Sequence, residues 1–258
     1  MTNERRVLVH PDVDALIAAV SARFLTKLTD LLDEYHDVNV VLTGGTVAQG
    51  VQEAVAASPM RDAIDWARVH FWWGDERFVA HDDPERNELQ ARRALLDRLP
   101  TPEENIHPMA ASDRIADIGE AAEAYAAELR QYADPTLRLD APRFDITFLG
   151  VGPDGHIASL FPGHDTLQET ERLVVADVDA PKPPPQRLSL TLPVINSSQR
   201  IWLVLSGAEK ASSLGLALAD ATPSEVPVAG AQGRRRTVFF VDQEAASQVP
   251  RTLIASTY

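Results

Sequence analysis

Asp154 and His156 stand two residues apart in the stretch FDITFLGVGPDGHIASLFPG, residues 144–163, where an apolar run breaks into glycines. Imidazole has an unperturbed pKa of about 6.5, so a histidine can take a proton and return it near neutral pH. A neighbouring aspartate can orient that ring, or it can simply cap a helix. HIASLF has helical spacing and is expected to open a helix with His156 close to its N-terminus. There the positive helix end would disfavour imidazolium and leave a neutral ring available as a general base. A histidine hydrogen-bonded within the turn accounts for the same residues equally well.

Two other strand endings carry polar chemistry. In VVLTGGTVAQG, Gly44, Gly45 and Thr46 join an apolar run to a helical pattern, so backbone N–H groups and the helix end can face an anion. The segment matches neither G-x-x-x-x-G-K-[ST] nor G-x-G-x-x-G, and a tight strand-to-helix turn is the competing reading of its glycines. In VHFWWGDERFV, Arg77 follows Asp75 and Glu76 and can fork onto an oxyanion or pair with its acidic neighbours. Trp72 and Trp73 alternate across a strand, so at least one belongs to the core. Arg187 and Lys210 sit beside strands rather than in charge runs; each is either a surface cation or, with the Gly44–Thr46 turn, part of a phosphate pocket. There is no H-E-x-x-H pair, His156 with His164 and Asp165 forms only a scattered set, and Ser159 lies outside a G-x-S-x-G elbow. The reading requires no metal and no cofactor.

These residues need a scaffold that brings strand ends together. Strand-length apolar runs read at RVLVH, VNVVLTG, RVHFWWG, FDITFLG, RIWLVLSG and RTVFFVD, and helical patterns separate them. Helices are expected from Val13 to Tyr35, from Gly45 toward Ala57, near Arg86–Leu99, over Ile118–Tyr132 and after Lys210. Such alternation predicts one α/β domain over residues 1–258, with an open, mostly parallel, doubly wound sheet and helices on both faces. Ligands of such sheets bind beyond the carboxyl ends of the strands, where the residues above fall. DAPKPPPQR is expected to be an extended surface connection, because βα units continue on both sides of it.

The chain has 258 residues and a formal charge of −14, which disfavours nucleic acid and anionic membrane surfaces as partners. A small anion in a crevice remains compatible, since cations there act within a Debye length of about 8 Å. Zero cysteines exclude disulfides and thiolate chemistry. No run approaches the roughly 18 apolar residues of a membrane span, and the expected location is cytoplasmic. Oligomeric state is left open, a monomer being compatible.

GDERFV, FLGVGPDGHIASLFPG and RLSLTLPVINSSQRIWLVLSGAEKA resemble, in order and spacing, motifs of the 6-phosphogluconolactonase family. The resemblance spans nearly the whole chain and implies a Rossmann-like fold shared with glucosamine-6-phosphate isomerases. It implies hydrolysis of 6-phospho-D-glucono-1,5-lactone to 6-phosphogluconate in the oxidative pentose phosphate pathway, without a cofactor, so the partner would be a small anionic phosphosugar lactone. On this resemblance His156 would act as base and then acid, with Asp154 orienting it or capping. Arg77 would meet the oxyanion, the sugar hydroxyls or the phosphate. Gly44, Gly45, Thr46, Arg187 and Lys210 would hold the phosphate. The family's turn commonly reads GGSTP, whereas Val47 and Ala48 here replace the second hydroxyl and the proline. The alternatives are a deaminase, whose element usually reads closer to DGHIAFNEP than to the Ser159-Leu160-Phe161-Pro162 found here, and a non-catalytic sugar-phosphate sensor. A sensor of that kind would be expected to carry a helix-turn-helix segment, for which a first strand near Arg6 leaves no room.

Overall fold

The apolar runs are buried on both faces, and helices supply the cover. The computed structural model describes residues 4–219 and 221–254; the other residues of the expected 1–258 range lie outside the described residues. Seven strands form one parallel sheet: β1 (Glu4–His10), β2 (Val38–Leu42), β3 (Val69–Trp73), β5 (Ile106–His107), β6 (Phe144–Leu149), β9 (Arg200–Leu205) and β10 (Arg236–Asp242). Their order across the sheet is β1-β10-β9-β6-β2-β3-β5. Helices α1 (Val13–Glu34), α2 (Thr46–Ala57) and α3 (Asn87–Ala94) cover one face, where Phe24, Val51 and Ala91 share a core with Val40, Phe71 and Trp73. Helix α4 (Ile118–Gln131), the short α5 (Leu192–Asn196) and α6 (Ala211–Leu218) cover the other, where Tyr125, Ile195 and Leu214 join Val41, Trp72 and Leu203. Both tryptophans are therefore core residues, one on each side. Full burial of a side chain of Leu or Phe size contributes about 1.5–3 kcal/mol, which outweighs what the helices could hold alone.

Local signals fix the helix starts. Asp12 accepts the Ala15 N–H at 2.8 Å ahead of α1, and Asp117 accepts the Glu120 N–H at 2.9 Å ahead of α4.

A second, antiparallel sheet was not evident in the sequence. It consists of β4 (Asp75–Arg77), β8 (Arg187–Leu190) and β7 (Val174–Asp177), in the order β4-β8-β7. Gly74 joins the two sheets: its N–H donates to Leu42 O in the large one (3.1 Å), and its carbonyl accepts from Leu190 N in the small one (2.8 Å).

At the edge of the large sheet, His70 Nδ1 lies 2.9 Å from His107 Nε2, and His107 Nδ1 lies 2.7 Å from Glu128 Oε1. A carboxylate only accepts, so His107 Nδ1 donates to Glu128 and its Nε2 accepts from His70. Burial, then the adjacent His107, lowers the His70 pKa from the usual 6.5, with Asp37 opposing. Unfolded chains therefore bind this proton more readily, and stability is lost as pH falls below 6.5. In a His70→Phe variant the drop in urea midpoint between about pH 7 and about pH 5.5 should be smaller than in the parent. An equal drop would show that His70 does not carry this dependence.

Candidate active site

The strand order reverses between β2 and β6: β3 and β5 follow on one side, β9 and β10 on the other. Such a switch point leaves a crevice beyond the carboxyl ends of the two strands. The turn after β2 supplies Thr43, Gly44 and Gly45 to it, and the turn after β6 supplies Gly150, Val151, Gly152 and His156. Asp75, Arg77, Asn87, Ala158, Lys182 and Lys210 complete its lining. A continuation past Gly44, Gly45, Val151 and Lys210 reaches Thr46, Val47, Ser206 and Glu209.

His156 does not begin a helix. The Gly152 N–H donates to His156 O (2.9 Å) and the Gly155 N–H to Gly152 O (3.0 Å), so residues 152–156 close into a loop. Gly155 adopts φ +81°, and Ala158 adopts φ +49°, the left-handed region that non-glycine residues rarely occupy. Ile157, Leu160 and Phe161 are buried at the i, i+3, i+4 spacing of a helix face, but consecutive turns place them there. The helix-end account of a neutral imidazole therefore fails, and the reading of Asp154 as a helix cap fails with it.

Asp154 meets the imidazole itself. Its Oδ1 lies 2.5 Å from His156 Nδ1. Burial alone would raise the Asp154 carboxyl, but the hydrogen bond and charge of His156 prevail and hold it at about 2. An ionised carboxylate has no proton to donate, so Nδ1 carries the hydrogen, and in the neutral ring the lone pair is on Nε2. Phe161 packs 4.6 Å from the imidazole, centroid to centroid. The loop leaves no room for a side chain at residue 152, where a Cβ would fall 2.0 Å from His156 Nδ1 and 2.4 Å from Asp154 Oδ1.

Of the acidic pair after β3, only Asp75 lines the crevice. Its Oδ2 accepts from Ser159 Oγ at 2.8 Å, which ties the histidine loop to β4. Glu76 points into the protein and accepts from the N–H groups of Arg77 (2.8 Å), Asn87 (2.7 Å) and Glu88 (2.9 Å), capping α3 from a distance. Burial pushes its carboxyl up to about 7, against Arg86 and those three donors. Arg77 is anchored by Nη1 on Glu85 O at 2.6 Å, and its Nε is buried without a partner. Asn87 donates to Asp75 O at 2.9 Å and packs on Gly44, where a Cβ would fall 2.0 Å from Asn87 Oδ1.

The turn at Gly44–Thr46 joins β2 to α2. Gly45 is the N-cap of α2 at φ +98°, and no side chain caps that helix start. Its first N–H groups border the crevice, where the helix dipole favours negative charge. Lys210 joins the lining, and burial lowers its pKa while Glu209 opposes.

Arg187 departs from the sequence reading. Its guanidinium donates to Pro184 O (2.7 Å), Pro183 O (3.0 Å) and Lys182 O (3.2 Å), and it is absent from the crevice lining. Sequence reasoning also missed Asp75, Asn87 and Lys182 as lining residues. The available signal for Lys182 was a lone cation enclosed by prolines in APKPPPQR.

A crevice at a switch point, with a hydrogen-bonded histidine, cations and a bare helix start, has the make-up of the site of an α/β enzyme. The family model described as Glucosamine-6-phosphate isomerases/6-phosphogluconolactonase matches residues 11–240, and the chain belongs to that family. It is 47% identical over 255 residues to the 6-phosphogluconolactonase of Streptomyces coelicolor, covering 98% of each chain. It is 43% identical over 244 residues to that of Mycobacterium tuberculosis, covering 94% of this chain and 97% of the other. The crystal structure of the Thermotoga maritima 6-phosphogluconolactonase superposes with a TM-score of 0.81 at 30% identity, over 93% of this chain and all of that one.

Gly152→Ala should displace the imidazole while leaving both sheets intact. Initial rates of lactone opening should fall at least about 100-fold, with circular dichroism unchanged. Retention of the parent rate would mean that the Asp154–His156 geometry is not needed.

Proposed function

We propose that the protein hydrolyses 6-phospho-D-glucono-1,5-lactone to 6-phosphogluconate, with His156 as the proton-transfer group. The observation that carries the assignment of roles is the 2.5 Å contact between Asp154 and His156 Nδ1, because it leaves Nε2 as the basic atom. Nε2 takes a proton from water as its oxygen adds to the C1 carbonyl. The C1–O5 bond then breaks, and the imidazolium returns the proton to the departing ring oxygen. Such acid–base assistance typically supplies 10²- to 10⁴-fold. Arg77, whose side chain lines the crevice, offers its guanidinium charge to the oxygen that becomes negative when water adds. The N–H groups at the start of α2, with Thr46 and Lys210, receive the 6-phosphate and hold the carbonyl near His156. Backbone donors are indifferent to the Val47-Ala48 departure from the family turn, so the lost hydroxyl removes one contact at most.

The whole chain is read as one domain, because the crevice draws its lining from both sheets and Gly74 is shared between them. Among the described residues no helix is long and apolar enough to cross a membrane. A cytoplasmic setting follows the same reading, since a phosphorylated substrate is too polar to cross a bilayer unaided.

His156→Ala should lower lactone opening about 10²- to 10⁴-fold after subtraction of the spontaneous reaction. Asp154→Asn lets an amide N–H face Nδ1 and selects the wrong tautomer, so kcat should fall by up to about 10⁴-fold. Binding of 6-phosphogluconate to Asp154→Asn, followed by calorimetry, should be retained. A folded His156→Ala protein with near-parent rate would remove the histidine from the mechanism.

A further inference from the structure

Residues 180–185 read Ala-Pro-Lys-Pro-Pro-Pro, so Lys182 is the one residue between two proline blocks. Prolines fix φ near −65° and have no N–H, so this segment cannot enter a sheet, and its carbonyls need donors from elsewhere. Arg187 provides them. Nε and Nη2 of this one buried guanidinium reach three successive carbonyls, those of Lys182, Pro183 and Pro184. The Ala180 N–H donates to Pro185 O at 3.0 Å and closes the segment. Arg187 is 6% exposed and forms no ion pair among the described residues. Burial first, then the adjacent Arg77, lowers its pKa, so desolvating this cation is costly. A buried arginine committed to one loop's backbone is fixing the position of that loop.

The loop delivers Lys182 to the crevice beside Lys210 and His156. Its charge acts on both Asp154 and Lys210, and its ammonium group makes no hydrogen bond or ion pair among the described residues. We propose that Lys182 is a substrate-binding cation for the anionic end of the phosphosugar, and that Arg187 is a positioning residue that acts through the 182–184 backbone. The proposal rests on the lactonase reading of the crevice. Arg187 therefore serves the phosphosugar without touching it, contrary to the sequence-based expectation of a direct phosphate contact.

Steady-state kinetics on 6-phosphogluconolactone, with circular dichroism as the folding control, test both halves. Lys182→Met should raise KM roughly tenfold with little change in kcat, and Lys182→Arg should recover most of the loss. Arg187→Lys keeps the charge but cannot span three carbonyls, so its KM should rise as far as that of Lys182→Met. In the double variant the two losses should not add, because one residue acts through the other. An unchanged KM in Lys182→Met would overturn the assignment of Lys182. A parent-like KM in Arg187→Lys, or additive losses in the double variant, would overturn the positioning role and favour direct contact with substrate. If Arg187→Lys does not fold, the Lys182 pair still decides whether the loop carries a substrate-binding cation. Failure of the lactonase reading would look different: the parent protein itself would not accelerate lactone opening.

Discussion

Seven parallel strands with both faces buried leave chemistry only one kind of place to occur. Side chains within the strands are committed to one core or the other, as Trp72 and Trp73 show from adjacent positions. Polar function is therefore confined to the strand ends, and the reversal of strand order between β2 and β6 opens the gap between two of them. The rest follows from what the connections carry there: a glycine turn after β2, a histidine loop after β6, and a second sheet that starts at Gly74 and closes one side.

The elements that follow from periodicity were legible in the residues alone. Helix α1 was read as Val13–Tyr35 and spans Val13–Glu34, and α4 was read as Ile118–Tyr132 and spans Ile118–Gln131; both have an aspartate cap and one apolar face. The six long apolar runs all became strands of the large sheet. The small sheet was not legible, because three- and four-residue strands such as Asp75–Arg77 show too few alternations to stand out from a polar loop. HIASLF misled for a definite reason. Two turns with a three-residue stagger bury the same positions as a helix face, and the left-handed backbone at Ala158 leaves no compositional mark.

In the site, residue identities were more legible than roles. His156, Arg77, Lys210 and the Gly44–Thr46 turn border one crevice, and Asp154 reaches it only through its contact with His156. Arg187 does not, because a long side chain can reach in several directions and the proline carbonyls, which no strand neighbour could satisfy, lay within its reach. The overall charge of −14 does not prevent this crevice from receiving an anion. Arg77, Lys182 and Lys210 are gathered where water is partly excluded, and local fields there outweigh distant surface carboxylates screened within about 8 Å.

The close approach of Gly44 to the Asn87 amide joins the end of β2 to the start of α3 without any hydrogen bond between the two residues. Neither position can drift alone in evolution. A side chain at 44 is admissible only alongside a smaller residue at 87, and that smaller residue would release the carbonyl of Asp75. Residues 44 and 87 should therefore vary together among related chains or not at all, although they are 43 positions apart (87 − 44) and only one of them has a side chain.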